Sequence, residues 1–312
     1  MVALEKKLKT ALGETRLLVL GAQILVGFQF RTVFEEGFSQ LPESSRHLDG
    51  LALLLMVGAT ALLITPSMHH QIASGGADTG RTHRILTILA AGALLPFAGS
   101  LALDVFIALE RLGGRLLGLL AGLGFGLLAL FWWFGFELIR RRRVGQTERA
   151  MSRKQRSQVD ETPLHTKIEE ALTEARIIIP GAQALLGFQL AIVMMPSFGD
   201  LPRASKIMHA ASLGMIALSV ILLMAPAAYH RIVYAGEETA ELHRTVGRLV
   251  TAATLPLALG LAGDVYVVIA KIFGSQAVAT AAGLFAVLAC VGLWYAYPAL
   301  ASRTVVRADA DD

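Results

Sequence analysis

Two stretches of this chain, Ile85–Leu109 and Leu116–Phe136, are almost wholly apolar. Each is long enough to cross a bilayer core, which takes about 20 residues of helix. No other feature narrows the fold as far. Composition agrees: hydrophobic residues make up 54% of the chain and charged residues 17%, against roughly 25% charged in globular domains. The expectation is an all-α integral membrane protein. The first long apolar run follows an amphipathic, lysine-bearing lead with no small-x-small cleavage site, so a removed signal peptide is not expected. Cys290 is the only cysteine. It excludes an intrachain disulfide and a cysteine metal cluster.

The chain also repeats itself. "GAQILVGFQ" begins at Gly21 and "GAQALLGFQ" at Gly181. The same constant shift, without a gap, carries Glu14, Arg16, Pro66, His70, His83, Arg84, Pro96 and Asp104 onto Glu174, Arg176, Pro226, His230, His243, Arg244, Pro256 and Asp264. Roughly forty identities in one register make a strong internal-repeat signal. Each unit opens on an amphipathic lead, Leu4, Leu8 and Leu12 in one and Leu164, Ile168 and Leu172 in the other, whose spacing makes one apolar stripe. Four apolar runs follow in each, near 15–34, 48–66, 85–109 and 115–139, then near 175–195, 209–227, 246–270 and 276–300. The expected organisation is a first four-helix unit at 1–139, a basic linker at 140–160, a second unit at 161–302 and an acidic-ended tail at 303–312. With eight transmembrane helices and an even number per unit, both units point the same way. This is a parallel repeat, with its pseudo-twofold axis along the membrane normal.

Basic residues set the orientation. The side holding both termini and the 67–84, 140–174 and 229–246 connections gathers about three quarters of the 28 Lys and Arg residues. That side is expected to be cytoplasmic, in a bacterial inner membrane. The linker run "RRRR" at 140–143 reads as a topology-setting segment near anionic lipid. No aromatic residues interleave it as a nucleic-acid stacking platform would require.

Polar residues inside apolar runs are the candidate sites. Gln23 and Gln29, with Gln183 and Gln189, are amides that need partners in hydrocarbon. Gln23 and Gln29 are about 600° of rotation apart and do not share a helix face. They read either as interhelical ties, with glycines at 21 and 27 allowing close approach, or as oxygen ligands for a solute or ion. Asp104 and Asp264 each follow a proline by eight residues, in the outer third of a third helix. A carboxyl there can bind and release a proton, or it can pair with a nearby base such as Arg111 or Lys271. Pro96 and Pro256 break their helices midway and free the carbonyls of Gly92 and Ala252, which makes them candidate hinges. His70 with His83, and His230 with His243, fall at the cytoplasmic ends of helical hairpins. There they could face each other as metal or haem ligands, or serve as helix caps near lipid phosphates. No nucleophile–base arrangement, phosphate-binding glycine loop or HExxH motif is present, so an enzyme is not expected. No cofactor is implied.

The unit resembles a bacterial family of four-span membrane proteins of unknown function, some of whose members are named sodium–proton antiporters. The residues that carry the resemblance are Glu14-x-Arg16, Gly21-x-Gln23, Gly27-Phe28-Gln29 and Pro66-x-x-x-His70, repeated from Glu174 to His230. "APAAYHR" at 225–231 is closer to the family pattern than "TPSMHHQ" at 65–71. The resemblance covers both halves and implies a fused pair of units. Three functions are therefore expected to compete. The first is proton- or cation-coupled transport using Asp104, Asp264 and the four glutamines. The second is a membrane scaffold or assembly partner, including with further copies of itself. The third is a histidine metal site.

Overall fold

The computed structural model describes residues 18–73, 80–135, 164–232 and 239–308. Among these, every element is helical. The first unit holds α1 (Leu18–Thr32), α2 (Glu43–Ala73), α3 (Gly80–Gly113) and α4 (Arg115–Leu130). The second holds α5 (Leu164–Val193), α6 (Arg203–Ile232), α7 (Ala240–Phe273) and α8 (Gln276–Val291), followed by α9 (Tyr297–Ala308). Among the described residues seven helices, α2 to α8, are long and apolar enough to cross a membrane; the described part of α1 is apolar but shorter. The basic linker and the first amphipathic lead lie outside the described residues.

The side chains are distributed as lipid demands. On α4, Leu116, Leu120, Leu123 and Leu127 are exposed, which is tolerable where the solvent is as apolar as leucine. The opposite face of α4 carries Gly118, Gly122 and Gly126, all buried. A Cβ at Gly118 or Gly122 would fall 2.7 Å from the carbonyl oxygen of Phe106 or Ala102. Glycine at four-residue spacing therefore lets the α4 backbone lie directly on α3. The turn from α3 into α4 uses Gly114 at φ 85°, and the turn from α7 into α8 uses Gly274 at φ 61°. These are equivalent positions of the repeat, and left-handed backbone favours glycine at both. Ser275 then caps α8, accepting from the Val278 N–H at 3.4 Å. A single π-helical turn ends α4 at Phe131–Gly135, and another joins α8 to α9 at Gly292–Ala296.

The two units do not bury equivalent helices equally. The apolar windows of α2 and α7 are 67% and 78% buried, whereas their repeat counterparts α6 and α3 are each 28% buried. The inner pair is thus the second helix of one unit and the third of the other. Gly50 of α2 faces the side chains of Ile269, Ile272 and Phe273 of α7. Trp294, in the second π-helical turn, donates its indole N–H to the Ala61 carbonyl of α2 at 2.8 Å. One apolar core runs through both units. Beside these unequal contacts, the repeat-equivalent rings of Phe28 and Phe188 meet each other, with centroids 4.8 Å apart.

Candidate functional site

Gln29 of α1 and Asp104 of α3 meet near the end of the bundle that carries the α1–α2 and α3–α4 turns. The Gln29 Nε2 donates to both carboxyl oxygens of Asp104, at 3.0 and 2.9 Å, and to Ser100 Oγ at 2.7 Å. Ser100 Oγ in turn donates to the Ala52 carbonyl at 2.8 Å. The network therefore joins α1, α2 and α3. The second unit repeats its centre. Gln189 Nε2 of α5 donates to the two oxygens of Asp264 on α7 at 2.7 and 2.8 Å. Gln29, Gln189 and Asp264 are all buried, and the Oε1 atoms of both glutamines have no hydrogen-bond partner among the described residues. Neither aspartate has an ion-pair partner among the described residues. The bases expected to pair with them are engaged elsewhere. Arg111 donates to the Gly37 carbonyl and to Gln40 Oε1, and Lys271 lies 5.2 Å from the Phe34 ring centre. The carboxyls are held instead by neutral amides, which stand in the sequence as a separate signal.

Two further ionisable residues belong here. Asp49 of α2 is buried, within electrostatic reach of Asp104, and its Oδ2 has no hydrogen-bond partner among the described residues. Its repeat counterpart is His209 of α6, also buried. The His209 Nε2 lies 3.2 Å from the Gln189 carbonyl oxygen, and its ring sits 5.9 Å from Phe30 and 5.1 Å from Phe198. The repeat register was the available signal. It sets an acid against an imidazole, both within apolar runs. The hydroxyl also changes helix between units: Ser100 and Ala52 correspond to Gly260 and Ser212. Ser212 Oγ is buried and unbonded among the described residues.

The remaining candidates separate. Gln23 is fully buried at the contact between α1 and α5, against Gly181. Gln183 is exposed, and its Nε2 lies 3.8 Å from Met224 Sδ. Neither reaches an aspartate. Pro96 and Pro256 lie inside α3 and α7, each of which continues through its proline. Beside Pro256, neighbouring hydroxyls occupy backbone carbonyls: Ser219 Oγ donates to Ala253 at 2.8 Å and the Tyr295 hydroxyl to Thr251 at 2.6 Å. His70 is buried in α2 and His243 is half-buried in α7. The side chains of His83 and His230 lie outside the described residues. Among the described residues no three His, Cys, Asp or Glu side chains gather as a metal site.

Long apolar helices joined by buried polar side chains define a multi-pass helical membrane protein in a lipid environment. The chain belongs to a family of unknown function, DUF6328, whose pattern it matches twice, over residues 3–137 and 159–298. The double match is consistent with a tandem duplication of the family's unit. Comparison with curated proteins and with solved structures gave no match.

Proposed function

We propose that this protein moves protons or small cations across the membrane, with Asp104–Gln29 and Asp264–Gln189 as the paired sites. One observation carries the reading: each unit holds a carboxyl among its helices, Asp264 buried and Asp104 half-buried, whose side-chain partners among the described residues include an amide but no base. A carboxylate in apolar surroundings needs a compensating charge, and a proton or a bound cation supplies it. Each amide orients its carboxyl while leaving its own Oε1 free to ligate. The proposed setting is a bacterial inner membrane crossed eight times, with α1 as the first span and both termini cytoplasmic. Two four-helix units, 1–139 and 161–302, are joined by the basic linker 140–160.

The test is ion flux in proteoliposomes under imposed sodium, potassium and pH gradients. Wild type would run beside Asp104→Asn/Asp264→Asn, with the thermal stability of both measured. Flux lost in a variant that remains folded supports the reading. A second reading, a non-transporting scaffold, is favoured by the fact that the same hydrogen bonds tie α1 to α3 and α5 to α7. No flux from folded wild type, with stability lost in the variant, would leave the scaffold standing. Neither reading assigns an enzymatic step.

A further inference from the structure

The ionisable residue beside each paired site differs between the units, Asp49 in the first and His209 in the second. We propose that the first unit's site holds a hard cation in exchange for a proton, while the second unit's site exchanges protons alone. The proposal rests on the reading that the Asp104 and Asp264 carboxyls are exchange sites.

In the first unit, three helices bring oxygen-bearing side chains to one level of the bundle. Gln29 of α1 binds Asp104 and Ser100 of α3. On α2, Asp49 lies between Ser45, which donates to Glu110, and Ala52, whose carbonyl accepts from Ser100, so the antiparallel register sets it level with Asp104. Two of these oxygens, Asp49 Oδ2 and Gln29 Oε1, are buried and have no hydrogen-bond partner among the described residues. An all-oxygen donor set of carboxylates, amide and hydroxyl suits alkali and alkaline-earth cations. Two neighbouring carboxyls cannot both stay charged without a counterion. The nearby charged groups do not provide one. Arg31 pairs with Glu35 at 2.9 Å, Arg111 is bound to Gly37 and Gln40, and Lys271 covers Phe34. His47 stacks on Phe273 at 4.4 Å, and Glu110 accepts from Ser45. Arg46 is one turn nearer the start of α2 than Asp49 and makes no ion pair among the described residues. One of the two acids therefore carries a proton, and an entering cation displaces it: the carboxyl O–H breaks, the oxygen ligates the cation, and the proton leaves to water.

The second unit lacks this donor set. It offers one carboxyl, Asp264, and the imidazole of His209, whose Nδ1 has no partner among the described residues. Its hydroxyl comes from Ser212 of α6, since Gly260 stands where α3 has Ser100, so what the second unit lacks is the second carboxyl. A ring nitrogen is a poor ligand for a hard cation, but it is a good proton acceptor.

The experiment needs no membrane. Full-length protein in detergent, weakly buffered with a pH indicator, would receive sodium, potassium, magnesium or calcium chloride against choline chloride of equal ionic strength. Wild type is expected to release protons saturably with at least one of the four cations. Asp49→Asn is expected to lose that release, and the exposed Glu43→Gln to keep it. His209→Asp is expected to add a second saturable release. Release no greater than with choline, or undiminished in Asp49→Asn, would overturn the proposal. Should Asp49→Asn fail to fold, His209→Asp decides, because an unchanged amplitude would also overturn it. The flux assay separates the two levels. Flux that ignores Asp49→Asn sinks this inference and leaves transport standing, whereas release without flux supports this site and removes transport.

Discussion

Gln23 of α1 lies directly against Gly181 of α5: a Cβ on that glycine would collide with Gln23 Oε1. Both residues belong to the repeated nine-residue motif, yet the reciprocal pair is apart. Gly21 faces open space, and Gln183 is exposed. The Gln–Gly contact between the two copies is therefore one-sided, although their equivalent rings Phe28 and Phe188 also meet. Gly181→Ala is expected to cost about 1–3 kcal/mol by overpacking, while Gly21→Ala stays within about 0.5 kcal/mol. Thermal unfolding in detergent reads both, and equal losses would contradict the one-sided contact.

A second close approach tests the hydroxyl that moved between helices. A Cβ on Gly263 would collide with Ser212 Oγ. In the first unit the equivalent residues are Leu103 and Ala52. The glycine position therefore carries a side chain in the copy where alanine replaces the serine. Gly263→Ala alone is expected to destabilise by about 1–3 kcal/mol. Adding Ser212→Ala is expected to recover most of the loss, a coupling of neighbours that a double-mutant cycle measures. Additive losses would mean that the two positions do not touch.

Trp294 is the largest fully buried side chain, and it reaches from the second unit into the first. The Ala61 carbonyl it meets also accepts from Thr65 Oγ1 at 2.7 Å. Trp294→Phe therefore removes one hydrogen bond without orphaning the acceptor, and a loss of about 1 kcal/mol is expected. Trp294→Ala empties the site as well and is expected to cost about 3–5 kcal/mol. Similar melting temperatures for the two variants would show that the hydrogen bond, rather than the packing, joins the units.

The helical class was legible because hydrocarbon imposes it: apolar runs of the right length have few alternatives. The Gln–Asp site was legible only in pieces. Gln29 and Asp104 each stood out as polar residues in apolar runs, but they are far apart in the chain, and helix periodicity says nothing about which helices meet. The same limit hid the inner pair. Repeat symmetry predicts equal burial of α3 and α7, whereas residues such as Gly50 and Trp294, which the repeat does not share, decide which helix goes inside. Asp49 is not legible as a site residue from its own helix, because it lies near the start of α2, where an acid reads as surface. Its meaning emerges once His209 is seen in the same place of the other unit.

Cys290 offers a readout for all of these variants. It is the only cysteine in the chain and is fully buried in α8. Modification needs a thiolate in contact with reagent, and a buried thiol in apolar surroundings offers neither. A membrane-permeant maleimide is therefore expected to leave the folded protein unlabelled and to label it fully after denaturation. Variants that weaken the packing should label in the order of their lost stability, because local opening exposes the thiol in proportion to its population. Trp294→Ala, one helical turn from Cys290, should label fastest, and Gly21→Ala should match wild type. Rapid labelling of native wild type would mean that α8 does not pack its Cys290 face against the core.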